Sequence, residues 1–108
     1  MTGNAAILES WELSLHGKSA GTRGLYLRTA NWFATWLAEQ GRPADAPGDL
    51  LAIRRQDAEA WFSAQRTAGL APATLRSRWI ALRNLYGWLT EEEEIEANPM
   101  AKVKEIGR

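Results

Sequence analysis

The sequence predicts an all-α fold of four main helices, and three observations carry that prediction. Apolar residues recur at three- and four-residue spacing along four stretches, glycines and prolines fall between those stretches, and no run alternates as a half-buried strand does. At 108 residues and 45% hydrophobic content, the chain is sized for one core, so 1–108 reads as a single domain.

The first helix carries Ile7, Leu8, Trp11 and Leu15 on one stripe, keeps Glu9 and Glu12 away from it, and meets a stop at Gly17. The second begins between Ser19 and Thr22, sets Tyr26, Ala30, Phe33, Trp36 and Leu37 on one face, and ends at Gly41 and Pro43. Gly21 and Gly24 weaken its first turn. Residues 44–50 read as a loop inside the domain. A third, shorter helix over 56–68 has Ala58, Trp61, Phe62 and Gln65 as its stripe, and Gly69 closes it. Pro72 then stands where a first helical residue belongs, its missing N–H harmless there, and Leu75, Trp79, Leu82, Tyr86 and Leu89 extend a stripe over four turns. The glutamates at 91–94 either extend this helix or begin a turn, and Asn98-Pro99 breaks it. The last ten residues are expected to form a turn and a tail.

Composition excludes several classes of function. With no cysteine and the single histidine His16, the chain has no disulfide framework, thiolate metal site or paired-histidine motif, and no metal or cofactor is expected. No basic leader precedes an apolar run, and no stretch approaches the roughly 20 apolar residues of a membrane helix. A soluble cytoplasmic protein without a membrane partner is the expectation. The catalytic inventory is poor as well: no glycine-rich phosphate loop follows a strand, and Tyr26 and Tyr86 lie on core stripes and are read as structural.

Formal net charge is zero, which by itself argues mildly against a nucleic-acid partner. The distribution of charge argues the other way. Lys18, Arg23 and Arg28 stand in a stretch without acids, as do Arg66, Arg76, Arg78 and Arg83, whereas Glu91, Glu92, Glu93, Glu94 and Glu96 form one block. The second and fourth helices both begin among short hydroxyls and cations: Lys18, Ser19, Thr22 and Arg23 in one, Thr74, Arg76, Ser77 and Arg78 in the other. Helix N-termini attract anions through their orphan N–H groups, and arginine adds charge and bidentate donors. Arg76 and Arg83, seven residues apart, lie on one side of the fourth helix. Alone, each feature has an ordinary explanation, with Ser19 and Thr74 capping helices and the arginines solvated. Their coincidence on two acid-free helices puts DNA ahead.

Six tryptophans allow base stacking, but Trp11, Trp36, Trp61 and Trp79 fall on apolar stripes and are assigned to the core, with Trp32 and Trp88 on helix flanks. The glutamate run cannot converge on one metal ion from consecutive helical positions, so it reads as a solvated acidic end.

The pattern Ser19-x-x-Thr22-x-x-x-Tyr26, then Phe33-x-x-Trp36-Leu37, resembles the second helix of the core-binding domain of tyrosine recombinases of the phage-integrase type. Leu70-Ala71-Pro72-Ala73-Thr74-Leu75-Arg76-Ser77-Arg78, followed by Ala81-Leu82-Arg83-Asn84-Leu85-Tyr86-Gly87-Trp88-Leu89, is similar to that family's fourth helix, and Asn98-Pro99 resembles its ending. The resemblance implies a SAM-like orthogonal bundle forming half of a C-shaped clamp on double-stranded DNA. A catalytic domain downstream and neighbouring protomers on DNA are the other implied partners, the isolated domain being monomeric and nucleoid-associated. It also implies DNA contact by Lys18, Ser19, Thr22 and Arg23 and by Thr74, Arg76, Ser77, Arg78 and Arg83, with no catalytic residue in this chain. The sequence departs from the family at Ala71, where serine is common, at Arg54, where threonine or serine caps the third helix, and in the glutamate run, where a short glycine-containing turn is commoner. Two other readings stand beside this one: a helical protein–protein interaction module, and a small stand-alone DNA-binding regulator.

Overall fold

The computed structural model describes residues 3–104. Four helices follow one another, α1 (Asn4–Ser14), α2 (Ala20–Glu39), α3 (Arg55–Thr67) and α4 (Pro72–Glu91), with no strand among the described residues. The all-α class and the helix count are those the sequence predicts.

Local chemistry sets the boundaries. Ser19 caps α2, its Oγ accepting the Thr22 N–H at 3.2 Å. At the other end Gly41 takes φ 65°, so that the Arg42 N–H reaches the Leu37 carbonyl at 2.8 Å and the Gly41 N–H reaches Ala38 at 3.2 Å, satisfying two orphan carbonyls. Gly69, at φ 89°, repeats the arrangement after α3, with Leu70 bonding Gln65 at 3.1 Å. Pro72 is at the start of α4, as predicted. The run of glutamates ends α4 rather than extending it: Glu93 adopts φ 59° and the Glu94 N–H bonds the Leu89 carbonyl at 3.0 Å. The first helix ends three residues before the predicted stop at Gly17, because the Lys18 N–H bonds the Leu15 carbonyl in a separate turn.

The core gathers around α2, which packs against each of the other helices. Trp11 of α1 stacks on Tyr26 with centroids 6.0 Å apart and donates its indole N–H to Asn84 Oδ1 at 2.9 Å, so one side chain fastens α1 to both α2 and α4. Phe33 of α2 meets Trp61 of α3 at 4.9 Å. Trp79 is buried and donates to the Val103 carbonyl at 3.1 Å. Trp36, assigned to the core from its stripe, is half-buried and packs against the core from its edge, beside Trp61, Leu70 and Arg78, while the next residue, Leu37, is fully buried.

The loop between α2 and α3 is held from three sides. Asn4 donates to the Gly48 carbonyl at 2.6 Å and accepts the Leu50 N–H at 3.1 Å, while the buried Tyr86 hydroxyl donates to the Leu50 carbonyl at 2.8 Å. Asp57, also buried, accepts the Arg54 N–H at 2.9 Å and pairs with Arg42 at 3.1 Å. The expected turn and tail are a packed part of the domain as far as residue 104, since Met100 and Val103 are buried in the core. Residues 105–108 of that tail lie outside the described residues.

Candidate nucleic-acid interface

The first turn of α2 carries Ser19, Thr22 and Arg23. Ser19 Oγ donates to Thr22 Oγ1 at 3.0 Å while it caps the helix, and Arg23 turns back to donate to the Lys18 carbonyl at 2.7 Å. Lys18 places its ammonium 5.7 Å from the centre of the Tyr26 ring, which Trp11 backs from below. Both cations are therefore held close to the surface by their own surroundings.

The N-terminus of α4 is built differently. Ala71 occupies the cap position and supplies no side-chain hydrogen bond, so Thr74 does not cap the helix but sits exposed in its first turn. Ser77 donates to the Ala73 carbonyl at 3.1 Å. Arg76 is exposed and shares a side of the helix with Arg83, whose guanidinium lies 4.9 Å over the Trp79 ring.

Arg78 points elsewhere. At 3.6 residues per turn it falls about 140° around the helix from Arg83. Its guanidinium stacks 4.6 Å from the Trp32 ring of α2 and donates to Gln65 Oε1 of α3, so it bridges three helices. Burial lowers its pKa from the ordinary arginine value. Trp32, placed on a helix flank by the sequence, is 44% exposed with that arginine on one face.

The two helix N-termini do not converge. Following α2 from Lys18 to Trp32, its neighbours on α4 run backwards from Arg83 to Arg78, so the start of α2 lies beside the second half of α4. What comes together instead is Lys18 with Arg83, which line one groove with Ser14, Asn84, Trp88 and Glu91. Asn84 and Trp88 belong to this groove although charge and hydroxyl patterns passed over them; nothing local marks Asn84, whose partner Trp11 lies 73 residues away. Glu91 sets an acidic limit to the groove at the end of α4. Among the described residues, no three histidine, cysteine, aspartate or glutamate side chains are grouped to hold a metal ion, and no helix is long and apolar enough to cross a membrane.

Fold and surface together define a small helical bundle whose cations rest on aromatic supports along α2 and α4. The chain belongs to the family described as phage integrase, N-terminal SAM-like domain, whose profile matches residues 8–93. It is similar to the tyrosine recombinase XerC of Xylella fastidiosa strain M23, 30% identical over 101 residues that make up 91% of this chain and 33% of that protein. The tyrosine recombinase XerC of strain 9a5c is 31% identical over 88 residues, 82% of this chain and 28% of its own length. The chain thus spans about a third of the length of these relatives. No solved structure matches.

Proposed function

We propose that this domain grips double-stranded DNA as one half of the clamp of a site-specific tyrosine recombinase, with strand cleavage and rejoining done by a separate catalytic domain. The observation that carries the reading is the pair Lys18 and Arg83, brought from the start of α2 and the middle of α4 into one groove in a chain of the integrase family. Ser19, Thr22 and Arg23 beside it, and Thr74, Arg76 and Ser77 further along α4, contribute donors and charge suited to phosphate oxygens, which fix position rather than sequence. Arg78, committed to Trp32 and Gln65, supports the surface and meets DNA only through its outer edge. Arg76 and Arg83 are the candidates for reading bases in a major groove. Recombinase protomers on neighbouring sites and the catalytic domain are the further partners, in the cytoplasm at the nucleoid.

Duplex binding measured by fluorescence anisotropy across a salt series tests this. Lys18→Ala should weaken binding to all sequences alike and reduce the salt slope by about 1, as a lost phosphate contact does. Arg76→Ala should cost roughly 1–3 kcal/mol and relax preference at one base position if it reads a base. Binding that ignores salt, or is unchanged in both variants, would instead favour the helical protein–protein module, for which the acidic Glu91 at the groove's edge speaks.

A further inference from the structure

A second basic surface lies outside α2 and the start of α4. Arg55, Glu59, Ser63 and Arg66 of α3 and Lys102, Val103 and Lys104 of the C-terminal segment line an open groove of about 440 Å³. The fold makes this groove deliberately rigid. Val103 is buried and its carbonyl accepts the Trp79 indole N–H, which pins the segment so that the flanking lysines stay exposed at the groove. Glu59, the acid among the lining residues, is paired with Arg55 at 3.2 Å. Arg66, Lys102 and Lys104 form no ion pair among the described residues.

This groove also adjoins the first surface. Trp79 carries Arg83 on its ring face and Val103 at its indole edge, so one side chain separates the cations of α4 from those of the C-terminal segment. Arg66 follows Gln65, the residue that accepts Arg78. Through Trp79, the cations of α4 therefore neighbour the lysines of the C-terminal segment, which share their groove with Arg66 of α3.

We propose that the α3 groove binds backbone phosphates of the same duplex, adding a sequence-independent contact beside the α2–α4 surface. This rests on the duplex reading above. The ligand chemistry is a run of phosphodiesters: the cations are spread along an open groove, and no aromatic ring lines it for stacking.

The test uses the whole chain, a duplex of about two helical turns and a salt series. Replacing Arg66, Lys102 and Lys104 together by alanine should lower affinity for every sequence alike and flatten the slope of log affinity against log salt by about 2.7, three contacts at about 0.9 each. Glu59→Gln should act in the opposite sense and tighten binding several-fold, a gain that misfolding cannot mimic. If the triple variant and Glu59→Gln both bind as the parent does while Lys18→Ala and Arg83→Ala weaken binding, the α3 groove is not a phosphate site and the α2–α4 reading survives. If the groove variants shift binding and Lys18→Ala and Arg83→Ala do not, the groove stands and the α2–α4 reading falls. If the triple variant loses binding to an acidic peptide while its duplex binding is unchanged, the occupant is an acidic protein segment and the proposal is overturned.

Discussion

Glu93 shows what a single backbone angle costs. It occupies the left-handed position after α4, at φ 59°, where the equivalent positions after α2 and α3 are glycines. A side chain at such an angle costs roughly 1–2 kcal/mol, and a glutamate at a helix C-terminus also opposes the dipole. Glu93→Gly should therefore stabilise the domain by roughly 1 kcal/mol after the entropy glycine returns to the unfolded chain, seen as a raised urea midpoint at unchanged slope. The residue type, unlike the angle, was visible in the sequence, as one member of the glutamate run. Tyr86 makes the complementary case: its place on a core stripe was legible, but its hydroxyl partner was not, because the Leu50 carbonyl lies 36 residues away in a loop. Burial, reinforced by the charges of Asp49 and Asp57, raises its pKa well above the ordinary phenol value. The neutral form is thus the folded one, so its contribution to stability is complete below about pH 10 and is lost as the pH climbs through the folded pKa. Thermal melts of the parent should fall above pH 10, and Tyr86→Phe should flatten that fall while costing roughly 1–3 kcal/mol at neutral pH for the unmet carbonyl.

At the level of elements, capping explains most of what could be read in advance. Ser19, Gly41, Gly69 and Pro72 mark helix ends by their own chemistry, and the structure places ends at or beside each. Elements tied down by distant partners were less legible: Asn4 grips a loop more than forty residues on, and Met100 and Val103 enter the core although nothing local marks them as more than tail. The stripe of α2 placed Trp36 in the core, where it packs by one face only, because it lies at the margin of a stripe centred on Phe33 and Leu37. The start of α4 yields a direct test. Ala71 leaves it without a side-chain cap, so Ala71→Ser should add about 1 kcal/mol of stability, raising the melting temperature by several degrees. A fall in melting temperature would mean that the Ala71 backbone cannot present a capping hydroxyl.

For the whole molecule, zero net charge conceals a division between cations on α2 and α4 and glutamates at the end of α4. That division was legible, and so was the identity of the residues, but their grouping was not. The sequence suggested two equivalent helix starts; the packing separates them, unites Lys18 with Arg83, and turns Arg78 inward toward Trp32. Pairings of this kind depend on which way helices cross, which spacing along one chain does not encode.

The most direct test of the duplex-binding account is an NMR amide-shift titration of the domain with a short duplex at low salt, repeated at high salt. The account predicts shifts concentrated at 18–23 and 74–84 that fade as salt rises, with the glutamates at 92–96, beyond the groove, unmoved. Silence in those two segments while other surfaces respond, or shifts there that persist undiminished in high salt, would contradict it.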